Sequence, residues 1–277
     1  PTTATSLCRS VTMRSYAIRL PVDFARTCGL MAVRDAAAIR RGKAMRLSVI
    51  GLGYVGLPLA VALARHFPVV GFDINRRRVE ALGRGEDRTG EVAGEVLRAS
   101  PLKVTAEAGD IAGSDVFIVT VPTPVDAANQ PDLGPVRAAC ETVGRQLGKG
   151  AVVVFESTVY PGVTEDICGP LLERVSGLTC GRDFFLGYSP ERINPGDREH
   201  TVERITKVVA GQTPAVAATL KGIYGAVTSG GVFVARDIRT AEAAKVIENA
   251  QRDINIAFIN EVAMIFQKLG LSAHDVL

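Results

Sequence analysis

From Arg46 onward, short β-rich runs alternate with amphipathic segments, a Gly-x-Gly-x-x-Gly turn spans residues 51–56, and a long proline-free helical stretch approaches the C-terminus. Together they predict an α/β fold: a Rossmann-type, doubly wound parallel sheet followed by a long connecting or dimerisation helix.

Candidate strands fall at 46–50, 69–73, 116–121, 151–156, 184–188, 206–210 and 232–235. Two of them, Val116-Phe117-Ile118-Val119 and Val152-Val153-Val154-Phe155, are continuous apolar runs, as expected of strands buried on both faces. Helical periodicity occupies 57–67, 75–83, 134–147, 163–175 and 214–224. A longer helix at 240–269 carries Val246, Ala250, Ile254, Phe258, Val262 and Ile265 at three- and four-residue spacing. About 30 residues reach roughly 45 Å at 1.5 Å per residue, more than one small domain needs. This helix is therefore expected to lead into a further domain or to form a subunit interface. Ser272-Ala273-His274-Asp275 reads as the cap of one more helix. The expected division is a basic extension over 1–45, disordered or non-native; a cofactor domain over 46–236; and the long helix with the start of a truncated second domain over 237–277.

The glycine turn stands between a strand and a helix, the context that gives it meaning. Gly51 permits the tight turn, Gly53 lets backbone approach a pyrophosphate, and Gly56 lets helix and strand pack closely. With Tyr54 and Val55, the amides of this turn face the phosphates at a helix start. The second strand ends at Asp73, 22 residues beyond Gly51, where the adenosine ribose lies. Its carboxylate accepts from the ribose diol and repels a 2′-phosphate, which selects NAD over NADP. Arg76, Arg77 and Arg78 follow. Three successive arginines at a helix start cannot all face one phosphate, so they read as mainly solvated, with Arg78 kept as a cofactor-binding candidate.

Composition narrows the alternatives. Apolar residues make up 47% and charged residues 22%, the balance of a soluble globular protein. Residues 1–45 hold eight Arg or Lys against Asp23 and Asp35, a local +6 that leaves the remainder at −3 of the net +3. Basic charge therefore sits away from the folded part, which argues against a nucleic-acid surface. The five cysteines show no CxxC pair and the three histidines no ligand spacing, so neither a disulfide framework nor a metal site is expected. No apolar run is long enough to span a membrane, and the protein reads as cytoplasmic.

Three segments carry the chemistry: Val121-Pro122-Thr123-Pro124, Glu156-Ser157-Thr158-Val159-Tyr160-Pro161-Gly162 and Ser189-Pro190-Glu191-Arg192-Ile193-Asn194-Pro195-Gly196. With Lys245-Val246-Ile247-Glu248-Asn249 and Gln251-Arg252-Asp253-Ile254-Asn255, they resemble the UDP-glucose/GDP-mannose dehydrogenase family. Phe72-Asp73-Ile74-Asn75 and Asp87-Arg88-Thr89-Gly90-Glu91 resemble its members that oxidise UDP-N-acetylhexosamines for surface polysaccharides. The resemblance implies oxidation of a UDP-sugar C6 alcohol to the carboxylate, with two NAD and two hydride transfers, through a cysteine-bound thiohemiacetal and thioester.

Lys245 and Asn249 lie four apart and so project from one helix face. Spacing alone equally describes a solvated lysine beside Glu242 or Glu248. The resemblance makes the pair an oxyanion site, makes Glu191 the general base or water-orienting group of thioester hydrolysis, and gives Thr158 the water. It also brings Thr123 and Thr158 to the cofactor, and Arg192 and Asn194 to the sugar pocket. Glu156 departs from the family pattern and is expected only to support the nicotinamide region. In the family the nucleophilic cysteine lies beyond the long helix; Cys168 and Cys180 stand in other contexts. The chain is thus expected to bind NAD but to turn over poorly, with a homodimer through the long helix. A β-hydroxyacid dehydrogenase explains Lys245 and Asn249 but not the Ser157-Thr158 or Glu191 segments. A non-catalytic NAD-binding or dimerisation module is the third reading.

Overall fold

The computed structural model describes residues 44–191 and 203–276. The strands are β1 (Leu47–Ile50), β2 (Val69–Phe72), β3 (Lys103–Thr105), β4 (Val116–Val119), β5 (Val152–Phe155), β6 (Phe185–Tyr188), β7 (Lys207–Gly211) and β8 (Val232–Val234). The α-helices are α1 (Gly56–Ala64), α2 (Arg76–Gly83), α3 (Gly94–Ala99), α4 (Gly134–Gly144), α5 (Gly169–Ser176), α6 (Pro214–Gly225), α7 (Ile238–Lys268) and α8 (Ala273–Val276).

They form one eight-stranded sheet in the order β3-β2-β1-β4-β5-β6-β7-β8. The first six strands are mutually parallel, and the chain steps outward on both sides of β1, the doubly wound arrangement. Alternation along the strands divides the core between the two faces. Val49, Ile118 and Val154 pack with α1 and α6 residues such as Leu57 and Leu220. Ile50, Val119 and Val153 pack with α4 and α5 residues such as Val136 and Leu172.

Two expectations need correction. The sheet is not wholly parallel: β7 runs antiparallel to β6, and β8 follows β7 in the reversed direction. A parallel neighbour needs a crossover that returns the chain to the same end of the sheet, whereas an antiparallel neighbour does not. The segment 163–175 is not one regular helix either. A π-helical turn, Val163–Cys168, precedes α5, whose first turn contains Pro170. Proline offers no amide to the preceding turn, which leaves that turn wide.

Asp237 caps α7, its side chain accepting from the Thr240 amide at 2.7 Å. Only Ile238, Ala241, Glu242 and Lys245 of this 31-residue helix are buried; Ile247 is 67% and Phe258 63% exposed. No helix among the described residues is long and apolar enough to cross a membrane.

Candidate functional site

A cleft of about 730 Å³ opens at the carboxyl ends of the strands. Asp73 and Ile74 line one end, the 51–55 turn and the 120–124 segment its middle, and Glu156, Ser157, Thr158 and Glu191 the other end. This is where open α/β sheets bind their ligands.

The turn is built for close approach. Gly51 has φ +95°, a conformation open to glycine, and Thr120 Oγ1 donates to the carbonyls of Ile50 (3.0 Å) and Gly51 (2.7 Å). A Cβ at Gly56 would fall 1.9 Å from Gly51 O, whereas one at Gly53 would meet nothing within 4 Å. Gly53 thus leaves a backbone concavity of the kind a pyrophosphate fills. Tyr54 and Val55 line the same wall.

Asp73 closes the adenosine end. Its Oδ2 accepts from the Leu52 amide and its Oδ1 from the Asn75 amide, both at 2.9 Å, which fixes the carboxylate at the mouth of the turn. Remaining lone pairs are available to a ribose diol. Asp73→Asn is expected to weaken NAD binding about tenfold and to narrow the gap to NADP, since a charge-assisted pair is lost. Parallel calorimetric titrations check this; an unchanged NAD-to-NADP ratio would refute the assignment.

The solvated reading of Arg78 is corrected. The residue is 3% exposed; its Nε donates to Leu52 O at 3.0 Å and its Nη2 to Asp87 Oδ1 at 2.7 Å. It does not line the cleft but supports the glycine turn from behind. Asp87 also accepts from the amides of Thr89, Glu91 and Val92, each at 3.0 Å. Burial pushes its carboxyl up, but hydrogen bonds from Thr89, Val92 and Arg78 outweigh that and hold it below the usual carboxylate range. The Asp87-Arg88-Thr89-Gly90-Glu91 segment is therefore a clamp on the cofactor turn.

At the other end, Thr123 Oγ1 donates to Thr158 O at 2.6 Å and ties the exit of β4 to that of β5. Thr158 is exposed in the cleft and Glu191 is 6% exposed on its wall. Beneath them lies a charge cluster that sequence reasoning did not assemble. Lys207, wholly buried in β7, donates to Glu156 Oε2 at 3.0 Å and Glu191 Oε2 at 3.4 Å. Tyr224 donates its hydroxyl to Glu156 Oε1. Burial pushes Glu156 up to about 7 despite the Lys207 ammonium, with the Glu191 carboxylate adding to the rise. The available signal was Lys207 itself, a lysine in an apolar strand that requires a buried counter-charge.

Lys245 and Asn249 do not line the cleft. Lys245 is 8% exposed, so it is not a solvated charge beside Glu242; Asn249 is exposed and its Oδ1 accepts from Arg252 at 3.4 Å. Glu242, one turn before Lys245, is fully buried and accepts from the amides of Gly162 (2.6 Å) and Thr164 (3.0 Å). This anchors α7 to the Glu156–Gly162 segment. Burial pushes the Glu242 carboxyl up against those hydrogen bonds. Arg192 and Asn194 lie outside the described residues, as do Cys8 and Cys28. Cys140 and Cys168 are buried, Cys180 is half-buried, and none lines the cleft. Among the described residues no group of three His, Cys, Asp or Glu could hold a metal ion.

A glycine turn under a strand-end carboxylate, at the switch point of a doubly wound sheet, defines a dinucleotide-binding domain of the dehydrogenase type. The chain belongs to the UDP-glucose/GDP-mannose dehydrogenase family: the model of that family's NAD binding domain matches residues 45–228 and that of its central domain residues 239–277. It is 52% identical over 231 residues to Protein CapL of Staphylococcus aureus, covering 83% of this chain and 54% of that protein. It is also 52% identical over 236 residues to the UDP-N-acetyl-D-glucosamine 6-dehydrogenase of Pseudomonas aeruginosa, covering 85% and 56%. Among solved structures, the UDP-D-ManNAc dehydrogenase of Pyrococcus horikoshii superposes with a TM-score of 0.78 at 35% identity, covering 84% of this chain and 56% of that one. The chain spans about half the length of the curated relatives it matches.

Proposed function

We propose that this chain supplies the NAD site of a UDP-N-acetylhexosamine 6-dehydrogenase, which oxidises a sugar C6 alcohol to the uronate for surface polysaccharide synthesis in the cytoplasm. The observation that carries this reading is one cleft running from Asp73, past Gly53, to Thr158 and Glu191. NAD, when bound, supplies the hydride acceptor. Glu191 takes the proton of the water that attacks the acyl group, and the Thr158 hydroxyl orients that water. Lys245 and Asn249, four apart on α7 and outside the lining of this cleft, are assigned to the developing oxyanion by the family resemblance alone. Arg78 acts through the turn it supports. The thiol is assigned to none of Cys140, Cys168 or Cys180.

The domain division proposed is 46–236 for the cofactor and 237–277 for the connection to the substrate part. The exposed Ile254, Phe258, Met264 and Ile265 of α7 favour a homodimer through this helix, because a row of large apolar side chains is costly to leave in water.

Calorimetric titration with NAD, NADP and a UDP-N-acetylhexosamine, followed by an NADH absorbance assay, tests the reading. The expected result is NAD binding tighter than NADP, with little steady NADH formation by this chain alone. Failure to bind NAD, or NADH formation from a small β-hydroxyacid but not from the UDP-sugar, would overturn it.

A further inference from the structure

The Glu156–Lys207–Glu191 cluster lies at a defined place along the cofactor. Asp73 marks the adenosine ribose and Gly53 the pyrophosphate, so the remaining end of the cleft, lined by Glu156, Ser157, Thr158 and Glu191, receives the nicotinamide. Lys207 and Glu156 have no side-chain exposure and Glu191 has 8%, so water screens these charges little. Two carboxylates share one ammonium. Ionisation of Glu156 makes the cluster more negative by one charge, whatever else Glu191 meets. The two cofactor forms differ at this end by one charge: the oxidised ring is cationic, the reduced ring neutral.

We propose that Glu156, braced by Lys207 and Glu191, makes this end of the cleft a charge-sensing site that favours the oxidised cofactor and releases a proton when that form binds. The inference rests on the NAD-site reading above and adds the discrimination between redox forms. The groups around Glu156 are Lys207 and Glu191, the Tyr224 hydroxyl from α6, and Tyr188 on β6. From α7, which packs against β6 and β7, the charged groups are Glu242, held by the 162 and 164 amides, and Lys245. Glu156 sits near 7, pushed there by burial, so a nearby positive charge shifts it toward the ionised form. The proton passes to solvent, leaving a carboxylate opposite the cationic ring. Discrimination of this kind leaves the enzyme's product form weakly held, which suits a site that must exchange its cofactor between two successive oxidations.

The chain as it stands is titrated with NAD and with NADH at pH 6, 7 and 8, in two buffers of different ionisation enthalpy. Near pH 7, NAD binding is expected to release about half a proton and NADH binding close to none. The ratio of the NADH to the NAD dissociation constant is expected to rise from pH 6 to pH 8. In Glu156→Gln that ratio falls about fivefold, the scale of one charge interacting across a partly screened site, and the proton release disappears. In Glu156→Gln/Lys207→Met, which removes one charge of each sign, the ratio returns toward wild type. Wild-type NAD binding without proton release at any of these pH values, or an unchanged ratio in Glu156→Gln, would overturn the charge-sensing site and leave the NAD site standing. Failure of both cofactor forms to bind would overturn both.

Discussion

Gly56→Ala is expected to abolish measurable NAD binding and to destabilise the fold by about 3 kcal/mol, the upper range for overpacking a tight site. A methyl group there would lie 1.9 Å from Gly51 O and 2.3 Å from Thr120 Oγ1. Neither atom can retreat alone. The Thr120 hydroxyl holds the Gly51 carbonyl, and the Gly51 amide donates to Phe72 O at 2.8 Å. The turn must therefore move away from both β2 and β4, taking the Leu52 amide from Asp73 with it. Gly53→Ala separates stability from binding. Its Cβ meets nothing within 4 Å, so stability should stay within about 0.5 kcal/mol of wild type while NAD affinity falls at least about tenfold. Thermal unfolding and NAD titration of the two variants check this. A Gly56→Ala protein that binds NAD within threefold of wild type would refute the packing argument, as would equal destabilisation by the two substitutions.

The same contacts explain what could be read without coordinates. Seven strands were legible as short β-rich runs, of which β4 and β5 are wholly buried and show no polar interruption, and the long helix was legible from apolar residues at three- and four-residue spacing without proline, although only four of its 31 residues are buried. β3 was missed because it has only three residues, begins with the exposed Lys103 and lies at the sheet edge, where neither face demands an apolar run. α3 is six residues long with only Leu97 buried, too short for periodicity to register. Strand direction itself leaves no mark on composition, so the reversal at β7 could not be read from residue types.

At the site, the glycine turn and Asp73 were legible because their roles follow from local backbone geometry. Arg78 was read as solvated because a run of three arginines looks like surface. Its burial depends on Asp87, nine residues away and itself satisfied by three backbone amides, a closure that spacing does not announce. Glu156, Glu191, Lys207 and Tyr224 come from three strand ends and a helix. Nothing local links them, and only the order β5-β6-β7 brings them together. Glu242 was weighed as a surface partner of Lys245, yet it is the anchor between α7 and the segment that ends at Gly162.

Lys207→Met should be among the most damaging single changes in the described fold, costing about 3–5 kcal/mol at pH 8, because it leaves Glu156 and Glu191 buried without their shared counter-ion. The cost should depend on pH with a definite sign. In the wild-type protein Glu156 stands near 7, above its ordinary value of 4.5, so this group costs stability as pH rises through that interval. Burial pulls Lys207 down, but Glu156 and Glu191 more than compensate and raise it above its ordinary value; the ammonium therefore persists throughout the neutral range. Without it, Glu156 is driven higher still and takes up a proton as pH falls, so the deficit of the variant should be greatest above pH 7 and shrink toward pH 5. In Glu156→Gln/Lys207→Met, removal of the second charge should restore most of the loss, since a neutral amide beside a methionine leaves Tyr224 a partner and no buried carboxylate pair. Urea unfolding of both variants at pH 5, 6, 7 and 8 measures this. A deficit in Lys207→Met that is constant across the series, or a double variant no more stable than the single one, would mean that the lysine acts through packing alone.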